Sequence, residues 1–319
     1  MSRDASPDVS VVICAYTLDR WTDIVAGVEA LAAQSLPPLE TLLVVDGNPD
    51  LLSRARDAFP QLRVLANSRA KGISGARNTG IAEAKGAIVA FLDDDARPEP
   101  DWLERLLAPY ADPAVMAVGG KALPAWPAQR PDHLVPELDW VVGCTYEGMP
   151  VDQADVRNVM GCNMSMRRTV FDVAGTFDES IGRIGRVPLG CDETELCIRL
   201  SQTIPGARVV FVPDALVHHR VTEVRTTWRY LSSRSYAEGL SKALIGRLIG
   251  NSDATSVERA YVTNTLPSAM RRELGRGLRG RASGWRGATG IALALSITAW
   301  GYLVGRVSGR TLPGSGVGS

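Results

Sequence analysis

A chain of 319 residues is long enough for one large domain, or one domain with an appendage, and at 45% apolar residues it carries ample material for a core. Its 35 basic and 35 acidic side chains cancel, which argues against nucleic acid as an electrostatic partner. The five cysteines (14, 144, 162, 191 and 197) are odd in number and lack paired metal-type spacing, and the polar N-terminus has no apolar leader. Both features predict reduced thiols in a cytosolic domain.

In chain order, residues 9–15 read as a first strand, followed by a helix with Ile24, Val28 and Leu31 on one face. Pro37 and Pro38 end that unit. Residues 41–45 are a second strand closing on Asp46-Gly47, and a helix with Leu51, Leu52, Ala55 and Phe59 runs to Pro60. Residues 62–66 are a third strand, 67–75 a polar loop, 76–84 a short helix, 87–92 a fourth strand and 101–110 another helix. This alternation with short connections predicts an α/β fold with a mostly parallel, doubly wound sheet.

The fourth strand ends in Asp93, Asp94 and Asp95. Ligands of such sheets bind at the carboxyl ends of the strands. Three adjacent acids there repel one another unless a cation sits among them, and the competing reading is a solvated turn or helix N-cap before Pro98. The turn after the first strand lacks Gly-x-Gly-x-x-Gly, and no P-loop occurs anywhere. That argues against a dehydrogenase or P-loop enzyme and leaves a metal to neutralise any bound diphosphate.

Past residue 120 the alternation breaks down. Residues 122–136, rich in proline and tryptophan, predict an irregular ligand-facing loop. A helix runs through Phe171, and 175–190, with Arg183 and Arg186, predicts a mobile loop. Asp192, Glu193 and Glu195 open a helix that continues through Leu196 and Leu200, a placement the helix dipole favours whatever their role. Residues 209–212 are a late strand, followed by His218 and His219, a pair suited to a divalent metal.

Residues 226–286 predict an amphipathic, arginine-rich helical region that lies on a membrane surface or caps the catalytic domain. Six arginines between 271 and 286 face the single acid Glu273. Residues 287–305 carry no charge, and as a helix at about 1.5 Å per residue they just reach across a hydrocarbon core of roughly 30 Å. We therefore expect a single transmembrane helix there, or one lying in the interface, with 306–319 as a flexible tail. The arginine-rich side precedes the segment, which keeps the large domain cytoplasmic.

These pieces resemble the family 2 glycosyltransferases, enzymes of the GT-A fold, from residue 9 to about 219. The matching residues are 11–16 (Val-Val-Ile-Cys-Ala-Tyr), 44–47 (Val-Val-Asp-Gly), 72–80 (Gly-Ile-Ser-Gly-Ala-Arg-Asn-Thr-Gly), 91–95 (Phe-Leu-Asp-Asp-Asp) and 192–196 (Asp-Glu-Thr-Glu-Leu). The resemblance implies a catalytic domain over 1–225, with a nucleotide-binding half at about 9–120 and an acceptor half at about 121–225. It implies donor contacts from Ala15, Tyr16, Asp46, Arg77, Asn78, Asp93 and Asp94. Asp93 and Asp95 match the family's Asp-x-Asp motif, in which the last acid holds Mn²⁺ or Mg²⁺, with His218 or His219 as a further ligand. The family's usual order at the acidic helix start is Glu-Asp. Here it is inverted, and aligning the shared Thr-Glu-Leu puts Glu193 at the catalytic base, with Asp192 the other candidate.

Residues 140–146 and 236–242 further resemble a subgroup described as glucosyl-dolichyl-phosphate glucuronosyltransferases. The implied activity is inverting, metal-dependent transfer of a sugar from a nucleoside diphosphate donor, UDP foremost. The implied acceptor is a glycan or lipid-linked sugar hydroxyl at the cell membrane, where the chain, single-pass or peripheral, meets lipids. Two other readings stand beside it. A sugar nucleotidyltransferase wants a basic Gly-rich loop after the first strand, and a non-catalytic, membrane-associated nucleotide-sugar binding protein needs no base.

Overall fold

The structure, a computed structural model, describes residues 8–181, 190–249 and 259–307. Arg183 and Arg186 of the expected mobile loop, and the expected tail beyond 307, lie outside the described residues.

The first half alternates as the sequence predicts: β1 (Val9–Ala15), α1 (Trp21–Ala32), β2 (Glu40–Val45), α2 (Pro49–Ala58), β3 (Arg63–Ala66), α3 (Ile73–Glu83) and β4 (Ile88–Asp93). β1 runs parallel to β2 and β4, and β2 parallel to β3. From Ile88 to Leu92 no residue of β4 is more than 2% exposed, the burial expected of a strand covered on both faces. Alternate residues of β1 feed two cores, Val11 and Ile13 one and Val12 the other. Asn48 caps α2, its Oδ1 accepting from the Leu51 N–H at 3.0 Å, with Pro49 opening the helix.

The second half is mixed. It comprises β5 (Ala96–Pro98), α4 (Trp102–Leu107), β6 (Val115–Ala125), β7 (Ala154–Asp155), β8 (Asn163–Arg167), α5 (Arg168–Val173), α6 (Asp192–Thr203) and β9 (Arg208–Arg220). The strand order is β3-β2-β1-β4-β8-β6-β9-β5, with β7 also on β9. β8 is antiparallel to both β4 and β6, whereas β6 and β9 are parallel. The 122–136 loop expectation is thus met only in part, since β6 extends through Ala125. The late strand is far longer than 209–212, and both histidines lie inside it rather than after it.

β8 buries polar side chains on one face. Asn163 accepts from Trp102 Nε1 at 2.8 Å and donates to the Ala215 carbonyl at 2.9 Å, and Ser165 meets the Tyr110 hydroxyl at 3.0 Å. Buried polar groups persist only when satisfied in this way.

A helical layer follows: α7 (Trp228–Ile249), a π-helical turn (Tyr261–Thr265), α8 (Leu266–Leu278) and α9 (Ala282–Val307). Leu231, Leu266, Ala269, Ile291 and Ala294 pack on Leu134, Leu138 and Val141, so the layer caps the 134–142 segment. Among the described residues α9 is the one helix long and apolar enough to cross a membrane. Its inner face is made of small residues. A Cβ on Gly290 would sit 2.1 Å from the His133 carbonyl oxygen, and one on Gly301 2.3 Å from that of Tyr236. Its outer face exposes Trp285, Leu293, Trp300, Leu303 and Val307.

Candidate active site

A cavity of about 780 Å³ opens where β1, β2 and β4 end. Ala15, Tyr16 and Asp46 line it from β1 and β2, Arg77 from α3, Asp93 and Asp94 from the end of β4, Asp192 and Glu193 from α6, and His219 from β9. The acidic run is neither an N-cap nor a solvated loop, because Asp94 and Asp95 make the buried turn between β4 and β5.

The turn folds the acids onto β9. His219 Nε2 stands 3.1 Å from Asp95 Oδ1 and 3.9 Å from Asp93 Oδ2, and one ligand atom from each of the three residues falls within 4.8 Å of the others. Both Asp95 oxygens are buried without a hydrogen-bond partner, although Arg20 and Arg225 approach Oδ2 at 3.1 and 3.6 Å. Burial alone raises the pKa of Asp95, but His219, Arg20 and Arg225 outweigh it and hold the carboxyl well below its usual range. Burial lowers the pKa of His219, yet Asp95 pulls it up to about 10. Asp94, hydrogen-bonded by Arg20, is pushed up to about 7 by burial. Two carboxylates and an imidazole with buried, unfilled oxygen valence fit Mn²⁺ or Mg²⁺, the nitrogen tilting the choice towards Mn²⁺.

His218 is not part of this cluster. Strand alternation turns it to the opposite face of β9, where its Nε2 meets Glu99 Oε1 at 2.7 Å. Asn78 is also placed elsewhere. It does not line the cavity, and its amide is used by the Phe177 backbone and by Glu179. Asp46 lies on the rim, accepting from Asn67 at 2.7 Å and from the Gly72 N–H at 3.0 Å.

The two candidate base residues have different surroundings. Asp192 accepts from Arg77 at 2.6 Å, and Arg77 also reaches the Gly161 carbonyl and stands 3.6 Å from Asp93. Glu193 faces the cavity, and burial, reinforced by the Asp192 charge, raises its pKa well above the usual range. Just before them, Cys191 adopts φ 78°, a left-handed conformation that a side chain disfavours, of the kind that gathers at functional sites. Arg20 and Arg225, which sequence reasoning passed over, also line the cavity. Neither sits in a recognisable motif.

The model of Glycosyl transferase family 2 matches residues 10–175. The chain belongs to glycosyl transferase family 2. It is a glycosyltransferase, and the nucleotidyltransferase and non-catalytic readings fall away. It is 36% identical over 262 residues to the glucosyl-dolichyl phosphate glucuronosyltransferase of Haloferax volcanii, covering 81% of this chain and 83% of that one. Among solved structures, the mannosyltransferase PcManGT from Pyrobaculum calidifontis, in complex with GDP-Man and Mn²⁺, matches with a TM-score of 0.59 at 20% identity, over 94% of this chain and 90% of that one. GalNAc-T7 with UDP, GalNAc and Mn²⁺ matches with a TM-score of 0.54 at 15% identity, covering 82% and 58%. The sheet of this family 2 glycosyltransferase is therefore of the GT-A kind.

Proposed function

We propose that this glycosyltransferase moves a sugar from a nucleoside diphosphate, UDP foremost, to a hydroxyl of a lipid-phosphate-linked sugar, by one displacement that inverts the anomeric centre. The observation that carries the reading is that Asp93 and Glu193 line one cavity, with Arg77 held between the strand of the first and the helix of the second. In this reading Ala15, Tyr16 and Asp46, which line the cavity, receive the base and ribose, and Arg77, Asp93 and Asp94, also in its lining, serve the diphosphate. Asp93, Asp95 and His219 would hold a divalent ion, which would supply charge stabilisation to the departing diphosphate.

Glu193 takes the proton of the acceptor hydroxyl. A raised proton affinity suits that task, and Asp192, engaged by Arg77, positions the guanidinium instead. A single base opposite the leaving group turns an α-linked donor into a β-linked product. The name of the Haloferax volcanii relative supports a dolichyl-phosphate-linked acceptor, and the apolar outer face of α9 supports a membrane-associated enzyme. The catalytic domain, 1–225, then sits on the cytoplasmic face, held there by 226–307.

The test is nucleoside diphosphate release by purified protein with Mn²⁺, across UDP- and GDP-sugars, with and without polyprenyl-phosphate glucose. Release that requires both the metal and the lipid-linked sugar is expected. Turnover on free glycans alone would overturn the acceptor assignment.

A further inference from the structure

The cavity continues past Glu193 along α7. Tyr230, Arg234, Glu238 and Lys242 stand four residues apart along α7, and all four line it. Glu238 pairs with Arg234 at 3.0 Å and with Lys242 at 3.1 Å, which sets a guanidinium and an ammonium side by side in the cavity lining. The stripe is fastened to the chain just before the base. Cys191 Sγ lies 3.8 Å from Glu238 Oε1, and Ser241 accepts the Gly190 N–H at 3.3 Å. Glu193 follows two residues later. α7 packs along α9, and beyond it Val262, Leu266, Ala294 and Leu295 give the cavity an apolar wall.

We propose that Arg234 and Lys242 bind the phosphate of a polyprenyl-phosphate-linked acceptor, whose sugar hydroxyl faces Glu193 and whose prenyl chain lies against α8 and α9. This rests on the lipid-linked reading of the acceptor. Such a molecule carries hydroxyl, sugar, phosphate and hydrocarbon in sequence, and the cavity offers carboxylate, cations and apolar wall. A guanidinium beside an ammonium suits a phosphate, the first through paired hydrogen bonds and the second as a compact charge.

The full chain in detergent is titrated calorimetrically with farnesyl phosphate and with farnesol. Wild type is expected to prefer the phosphate by at least about tenfold, and Arg234→Gln with Lys242→Met to erase most of that preference. Glu238→Gln, which removes the shared counter-charge, should widen it, a direction misfolding does not produce. Equal binding of both ligands by wild type, or an unchanged preference in the double variant, overturns the proposal. So does a double variant that keeps the preference but discriminates against donors bearing a uronate, which would assign the cations to the donor sugar. The titration needs no turnover. A wild type that prefers farnesyl phosphate yet glycosylates no lipid-linked sugar overturns the proposed function and leaves this site standing.

Discussion

Asp192 and Arg77 meet at 2.6 Å, each about 5% exposed, so the pair is shielded from water and from salt. Their engagement separates the two adjacent acids chemically, although both border the cavity. Glu193→Gln should keep donor binding and lower transfer by about 10²–10⁴-fold, the usual loss when a positioned base is removed. Asp192→Asn strands a buried guanidinium and should destabilise the fold by up to about 3 kcal/mol, Asp93 compensating for part of the charge. Single-turnover rates and urea melts on the two variants check this. Wild-type turnover in Glu193→Gln would move the base to Asp192.

The two adjacent histidines should behave oppositely. His219→Ala removes a group 3.1 Å from Asp95 and should weaken Mn²⁺-dependent nucleotide binding by at least about 10–100-fold, with Asp95→Ala abolishing it. His218→Ala breaks a partly exposed pair with Glu99 worth about 0–1 kcal/mol and should leave metal binding alone. Calorimetric titration of UDP with and without Mn²⁺, and after EDTA, gives the answer. Unchanged affinity in Asp95→Ala refutes the metal site.

Stability and rate should run in opposite directions with pH. Burial raises the pKa of Glu193, so the folded protein holds that proton more tightly than the unfolded chain does. Its contribution to stability is complete below the ordinary glutamate range and is lost as pH rises through the raised value. Transfer needs the deprotonated carboxylate and therefore rises over the same interval. Glu193→Gln should resist urea better than wild type at alkaline pH, with a residual rate independent of pH there. A wild-type rate flat across the acid side would exclude Glu193 as base.

The parallel half of the sheet was legible because each of its strands is an apolar run bounded by turn residues, as in 88–93. β8 was not. Asn163 and Ser165 interrupt its apolar pattern, and their burial depends on Trp102 and Tyr110, far away in sequence. β9 was read short because Pro213 and Asp214 break its run, and without the full strand its two-residue alternation had no frame to choose His219 over His218. The family resemblance singled out the candidate metal and base residues, and of these Asp93, Asp95 and His219 come together while Glu193 lines the same cavity as Asp93 and His219. The cations around them, Arg20 after β1, Arg225 before α7 and Arg234 and Lys242 on α7, are gathered at one cavity only by the tertiary fold.

The remaining prediction concerns how the enzyme meets lipid. α9 is docked along its inner face, through Gly284 at α8, Gly290 at His133 and Gly301 and Gly305 at α7. A helix held this way, with Trp300 at 62% and Leu303 at 55% exposure on the other side, is shaped to lie in a bilayer interface. Part of the arginine cluster beside it is already engaged, Arg272 by Glu137 and Arg276 by Glu273. Arg271, whose Nε donates to the Pro267 carbonyl, Arg279 and Arg281 are exposed and can face anionic head groups, at about 1 kcal/mol each. Trp300→Glu and Leu303→Glu change largely exposed positions and should each weaken vesicle binding by roughly tenfold or more, the loss of burying one large apolar side chain. Arg279→Ala with Arg281→Ala should instead weaken binding to anionic vesicles alone, and only at low salt. Co-sedimentation with neutral and anionic vesicles separates the two terms. If Trp300→Glu with Leu303→Glu stays fully bound, α9 is not the surface that meets the membrane.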